Sequence, residues 1–126
     1  MEDRASLHNV IERADPEIVF HLAARPIVSD AANDPIQTLE TNVAGTWNVL
    51  DIVRRRNSRC VTVVSTSDKV YGDGELPYRE TSPLLGSSPY DASKVCADVI
   101  SRSFAATYDM PVAVIRCGNL YGPGDN

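Results

Sequence analysis

The sequence predicts an α/β fold built on a parallel sheet. Three short apolar runs, at residues 18–22, 60–64 and 112–115, read as strands. Each follows a longer stretch with helical periodicity, and regular helix–strand alternation is the pattern of βαβ units. Continuous apolar runs of this length suggest strands covered on both faces, and right-handed crossovers would lay the helices on the faces of the sheet. A chain of 126 residues suits one domain and is long enough to bury a core.

Taken in order, Leu7, Val10, Ile11 and Ala14 recur on one face of a first helix, which Asp15-Pro16 stops. The first strand follows, and Ala23-Ala24-Arg25-Pro26 leaves it as a loop of small residues. Asn33 or Asp34 caps a second helix with Pro35 at its first position. Ile36, Leu39, Val43, Trp47, Leu50 and Val53 form its expected buried stripe, and Asn57-Ser58 ends it. The basic run Arg54-Arg55-Arg56 sits in its last turn, where cations suit the macrodipole. The second strand runs into Ser65-Thr66-Ser67. Residues 72–87, rich in Gly, Pro, Ser and acids, read as a long surface loop, and loops of that length in compact domains are often functional. Ser88 caps a third helix, with Pro89 at its first position and Asp91 completing a capping box. Ala92, Val95, Val99, Ser103 and Ala106 are its expected core stripe. The third strand follows Pro111, and residues 118–124 form a turn-rich ending.

A net charge of −5 argues against nucleic acid as a partner, since a phosphate backbone needs a basic patch. Cys60, Cys96 and Cys117 are widely spaced with no CxxC or Cys/His cluster, so no metal is expected. They read as buried, reduced thiols, which suits a cytoplasmic protein. No signal peptide or long apolar span is read in the sequence, so no membrane partner is expected.

In parallel sheets, ligands bind beyond the carboxyl ends of the strands. Residues 21–24, 65–69 and 116–119 all fall there. Tyr90 and Lys94 are one helical turn apart and share a face. A phenol titrates near ~10 and is a poor base at neutral pH, but a fixed cation would lower its pKa. Ser67, Asp68 and Lys69 offer a hydroxyl, a carboxyl and an amine at a strand end. These groups read together as an acid–base site for moving protons on an alcohol or ketone. The plainer alternatives are a surface pair for Tyr90 and Lys94, and a turn cap for Asp68. His21, inside an apolar strand, reads as a satisfied core histidine, and Asn42 as a structural hydrogen-bonder to a neighbouring loop.

Five pieces carry a family resemblance: His21-Leu22-Ala23-Ala24, residues 41–46, residues 65–72, residues 90–94 and Arg116-Cys117-Gly118-Asn119. Together they resemble the extended short-chain dehydrogenase/reductases, the nucleotide-sugar epimerases and dehydratases. Residues 66–71 are most similar to the CDP-glucose 4,6-dehydratases within that family. The resemblance implies a partial Rossmann-like, doubly wound parallel sheet of three βα units, with NAD as cofactor and a nucleotide sugar as substrate. It also implies homodimerisation through helices corresponding to residues 35–56 and 89–108.

By the same resemblance Tyr90 is the base that takes the sugar hydroxyl proton, and Lys94 lowers the phenol's pKa and holds the nicotinamide ribose. Ser67 hydrogen-bonds the reacting oxygen. Asp68 protonates the hydroxyl departing from carbon 6, and Lys69 stands where a residue takes the proton from carbon 5, a place where relatives carry Glu. Ala23, Ala24, Ser65 and Cys117 join Tyr90 and Lys94 beside the cofactor, and Asn119 touches the sugar or its diphosphate. The family's glycine-rich phosphate turn is absent, because none of the seven glycines falls in a GxGxxG or GxxGxxG pattern. Residues 1–126 are therefore expected to be a partial NAD(P)-binding domain, truncated at both ends, lacking the substrate portion and inactive alone. The alternatives are a 4-epimerase of the same family and a non-catalytic binding module.

Overall fold

The computed structural model describes residues 3–57 and 59–124. Helix α1 (Arg4–Ala14) opens with the Asp3 carboxylate accepting from the Ser6 N–H and closes on Asp15 in the left-handed region, φ 44°. Strand β1 (Ile18–His21) follows, then the short helix α2 (Val28–Asn33). Helix α3 (Pro35–Leu39) runs through a π turn (Glu40–Ala44) into α4 (Gly45–Arg56). Strand β2 (Val61–Ser65), a 3-10 turn (Asp68–Tyr71), helix α5 (Pro89–Tyr108) and strand β3 (Val112–Ile115) complete the described chain. The sheet is parallel in the order β1-β2-β3, with Val19 beside Thr62 and Thr62 beside Val112. The expected βαβ alternation is therefore present. Helix α2 carries no apolar period over its six residues, so nothing in the sequence signalled it.

Both crossovers step the same way across the sheet, and right-handed connections then put both on one side. Ile11, Val49, Ile52, Val53, Cys60 and Met110 form the core there, with Val19 and Val112 packed from the sheet. The opposite face is open: Ile18, Val61 and Ile115 are exposed, and Phe20 is 64% exposed. The strands are thus covered on one face among the described residues, which corrects the expectation from their continuous apolar runs.

Two expected helix stripes are also corrected. On α3 and α4, Leu50 and Val53 are buried but Ile36 and Trp47 are exposed. Thr38, Asn42 and Thr46 face inward instead, their polar groups satisfied by hydrogen bonds to Asp34, Arg25 and Asn42. The π turn, wider than an α turn, also shifts the positions that follow it. On α5, Val99 is 48% exposed, and Ser103 and Ala106 are exposed too. The inward face is Tyr90, Ser93, Lys94, Ala97, Asp98 and Ser101. Apolar spacing chose the wrong side because this helix turns polar groups inward.

Cys60 is buried, but Cys96 is exposed and Cys117 half-buried, so burial holds for only one of the three free thiols. The arginine run pairs with Asp51, Glu12 and Asp15, as a solvated helix end does. Asn57 caps α4, and Ser58 lies outside the described residues. The 72–87 loop folds back on the 3-10 turn, its Leu85 and Gly86 N–H groups both donating to Val70 O at 2.9 and 3.1 Å. Gly72 starts it at φ +55°, where a Cβ would sit 2.5 Å from the Leu85 carbonyl oxygen, so only glycine fits without strain. No described helix is long and apolar enough to cross a membrane.

Candidate active site

The carboxyl ends of all three strands meet the first turns of α5 in a cleft of about 540 Å³. Ala24 comes from beyond β1, Ser65 and Ser67 from the end of β2, Cys117 and Asn119 from beyond β3, and Tyr90 and Lys94 from α5. These seven residues, each expected from sequence, share one wall-to-wall space. Ala23 and Lys69 do not line it, and both are exposed. Asp68 stands at its margin, lining a neighbouring cleft of about 700 Å³ with Tyr71 and Arg116. That larger cleft holds only Asp68 and Cys117 of the expected residues, so the chemistry converges on the smaller one.

Local folding explains the convergence. The Ser88 hydroxyl accepts from the Asp91 N–H at 3.1 Å and the Asp91 carboxylate accepts from the Ser88 N–H at 3.4 Å, the capping box read from sequence. This fixes the first turn of α5 and with it Tyr90. The ladder between β2 and β3 continues past the strands: Thr66 N–H donates to Ile115 O at 2.8 Å, and Asp68 N–H to Cys117 O at 2.9 Å. The Ser67 hydroxyl accepts from Lys69 N–H and donates to Asp68 Oδ1, both at 3.2 Å. Asn42 clamps the loop after β1, accepting from Arg25 N–H at 2.7 Å and donating to Arg25 O at 3.2 Å. It also donates to Ser93 Oγ at 2.9 Å, and Ser93 donates to the Tyr90 carbonyl at 2.7 Å. Its role as a bridge to a neighbouring loop is as read from sequence, and it extends to the helix carrying Tyr90.

Lys94 is 7% exposed, and its ammonium donates to Ser65 O at 3.1 Å. Burial pushes its pKa down, with Cys117 pulling the other way. The Tyr90 phenol is pushed up, first by burial and then by Asp91 and Asp68, while the hydroxyl of Ser67 pulls it back. This corrects the expectation of a phenol lowered by Lys94. The ammonium lies 5.9 Å from the ring centre, turned onto a carbonyl, and loss of solvent is the larger influence. His21 is the satisfied core histidine expected. The one Thr46 hydroxyl proton goes to Asn42 O at 2.6 Å, so His21 Nε2, 3.0 Å from that oxygen, carries the proton of their contact. Burial and the Lys94 charge hold the imidazole down at about 4, so it is neutral at pH 7.

Asp98 and Arg102 went unread as site components, and Arg116, placed at a strand end by the sequence, was given no role of its own. Asp98 is fully buried on α5, one turn past Lys94. Arg116 grips it with two bonds, Nε to Oδ2 at 2.6 Å and Nη2 to Oδ1 at 3.1 Å, and Arg102 adds a third at 2.7 Å. Arg116 Nη1 also donates to Tyr71 Oη at 3.0 Å and Glu80 O at 2.9 Å. Asp98 raises the guanidinium's pKa, so the charge is permanent. The available signal was the polar series Tyr90, Lys94, Asp98 at four-residue steps. No group of three or more His, Cys, Asp or Glu side chains among the described residues could hold a metal ion.

Against known proteins, the family model described as GDP-mannose 4,6 dehydratase matches residues 1–126. The chain is 38% identical over 136 residues to the CDP-glucose 4,6-dehydratase of Salmonella typhimurium, covering 99% of this chain and 38% of that protein. It is 40% identical over 114 residues to the dTDP-glucose 4,6-dehydratase of Mycolicibacterium smegmatis, covering 87% of this chain and 34% of that one. Among solved structures, dTDP-glucose 4,6-dehydratase from Bacillus anthracis in complex with NAD superposes with TM-score 0.81 at 33% identity, covering 97% and 37% of the two chains. UDP-glucose 4-epimerase from Thermotoga maritima with UDP-glucose superposes with TM-score 0.90 at 28% identity, covering 97% and 40%. The chain thus spans 34–38% of the length of these two relatives.

Proposed function

The chain belongs to the GDP-mannose 4,6 dehydratase family, and from that premise we propose that it is the central part of an NAD-dependent nucleotide-sugar 4,6-dehydratase. The observation that carries this reading is the meeting of Ser67, Tyr90 and Lys94 in one cleft at the strand ends. A non-catalytic binding module has no need of a phenol, a hydroxyl and a buried ammonium in one space.

The residues present fit the nicotinamide-ribose half of NAD. A buried ammonium with one carbonyl partner among the described residues stands in a cleft walled by small side chains, Ala24, Ser65 and Cys117. The pyrophosphate half needs a glycine-rich turn, which this sequence lacks, so on this reading residues outside it hold that half. Bound NAD would accept hydride from carbon 4 of the sugar and return it to carbon 6.

In the proposed mechanism Tyr90 Oη takes the proton from the 4-hydroxyl, and Ser67 Oγ hydrogen-bonds the same oxygen. For this Tyr90 has to be the phenolate beforehand, and Lys94, which holds the ribose, is the cation beside it. The 4-ketone acidifies the carbon-5 proton, which Lys69 removes. Asp68 gives a proton to the hydroxyl leaving carbon 6, completing loss of water. Ala24 lets the cofactor approach the backbone, and Asn119 contacts the sugar or its diphosphate. The exposed position of Lys69 means its amine would have to swing inward to serve.

The complete protein, assayed with CDP-glucose and UDP-glucose, is expected to release a 4-keto-6-deoxy sugar nucleotide. An inverted 4-hydroxyl would instead mark a 4-epimerase, the reading favoured by the likeness to UDP-glucose 4-epimerase. Neither product from any nucleotide sugar would remove the catalytic reading. The same reading includes a cytoplasmic location, which suits free thiols. It also includes a homodimer through α3–α4 and α5, the exposed Trp47 lying on the outer side of α4. Sedimentation of the complete protein as a monomer would end that part.

A further inference from the structure

Arg116 joins three pieces of the site that are far apart in sequence. Its bidentate grip on Asp98 anchors it to α5, on the face that carries Tyr90 and Lys94. Its Nη1 bonds reach Tyr71, the last residue of the 3-10 turn that Asp68 begins, and the Glu80 carbonyl in the 72–87 loop. The side chain is 14% exposed, and its guanidinium also stands 5.3 Å from the centre of the Tyr71 ring. Tyr71 in turn stacks on Tyr78 at 4.7 Å, and Tyr78 Oη donates to Gly72 O at 2.9 Å. One rigid fork therefore sets the distance between the helix bearing the phenol and the turn bearing the carboxyl and the amine.

We propose that Arg116, braced by Asp98, is a positioning residue that holds the Asp68–Lys69 turn in register with Tyr90, so that loss of water follows oxidation at carbon 4. This rests on the dehydratase reading above. Arg116 touches no reacting atom in this arrangement. It acts through Tyr71, and both groups assigned to the elimination, Asp68 and Lys69, sit on the turn it holds. Removing the fork would leave Tyr90 and Lys94 where they are and loosen Asp68 and Lys69, while Ser67 loses only the bonds its hydroxyl makes to that turn. A misplacement of about 1 Å at a reacting group costs on the order of 10- to 100-fold in rate.

Two variants of the complete protein test this. Tyr71→Phe deletes one hydroxyl and keeps the stacked ring, while Arg116→Lys keeps the charge beside Asp98 and loses the fork. For both, kcat for the 4-keto-6-deoxy product is expected to fall about 10- to 100-fold with KM unchanged. A chemical quench of a single turnover should then catch the 4-keto sugar that still carries its carbon-6 hydroxyl. Amide hydrogen exchange across residues 68–80 should quicken in both variants. Unchanged kcat overturns the proposal, as does a slower kcat with no build-up of that keto sugar. If the wild-type protein makes no 4-keto-6-deoxy product, the dehydratase reading has failed, and hydrogen exchange alone decides the positioning role. Faster exchange across 68–80 in Tyr71→Phe upholds it, and unchanged exchange overturns it.

Discussion

Helices α4 and α5 pack side by side on the same face of the sheet, yet α4 buries mainly hydrocarbon and α5 mainly polar groups. Beyond a first turn that buries Thr46 and Asn48, helix α4 turns Val49, Leu50, Ile52 and Val53 inward. Helix α5 turns in Tyr90, Ser93, Lys94, Asp98 and Ser101. Burying a polar group costs free energy unless it is hydrogen-bonded. On α5 Ser93 donates to the Tyr90 carbonyl, Lys94 to Ser65 O, and Ser101 to Ala97 O, while Asp98 accepts from two arginines. One helix holds the fold together by removing hydrocarbon from water. Its neighbour arranges polar groups for use, and its own interior bonds keep that arrangement from being costly.

The contrast predicts which changes cost activity and which cost stability. The largest effect belongs to α5. In the complete protein Tyr90→Phe is expected to lower turnover about 10³-fold, the range for a lost general base, with cofactor binding and melting temperature nearly unchanged. Steady-state kinetics with calorimetry of NAD binding reads both, and surviving turnover would mean that the phenol is not the base. The matching change on α4, Leu50→Ala, opens a cavity at a fully buried site and should cost about 2–5 kcal/mol by denaturant unfolding. Turnover per folded molecule should hold. If Leu50→Ala instead lowered kcat at constant fold, the division of labour between the helices would be wrong.

His21 lies where the two helices meet the sheet, bonded to Thr46 and beside the Lys94 charge. Its folded pKa of about 4 lies below the ordinary 6.5, so between those values the unfolded chain binds more protons. The stability it contributes is complete above pH 6.5 and is lost as pH falls toward 4. Between pH 7 and pH 5 the loss is about 2 kcal/mol. Urea unfolding at those two pH values should show that drop in the wild type and a smaller one in His21→Asn, and equal drops would assign it elsewhere. The smallest effect sharpens the choice of face on α5. Val99→Ser, on the exposed side, should change stability by no more than about 0.5 kcal/mol, whereas a loss above 1 kcal/mol would return Val99 to the core.

Much of this was legible in the residues themselves. The capping box at Ser88 and Asp91, the Asp34 cap before Pro35, the parallel strands and the meeting of Ser67 with Tyr90 and Lys94 all follow from local chemistry and spacing. The inward face of α5 was not, because apolar periodicity points to Val99 while hydrogen bonding turns in Lys94 and Asp98. The open side of the sheet was hidden for a related reason. Ile18 and Phe20 read as core residues, but nothing in the described chain lies over them. The Asp98–Arg116 pair joins residues 18 apart in sequence, and only the fold brings them together.

The π turn at Glu40–Ala44 also separates the length of a helix from its phase. Losing one residue from ordinary α-helix rotates everything downstream by about 100°. Losing one inside the wide turn can relax it to an α turn, so the helix shortens while Val49, Leu50 and Val53 keep their bearing on the sheet. Deleting Thr41 should therefore leave a cooperatively melting protein, and deleting Asp51 should not. Equal damage from both would deny the turn this buffering role. Single-residue gaps between homologous sequences have a natural place to collect here, one that a count of hydrophobic spacing would mistake for a broken helix.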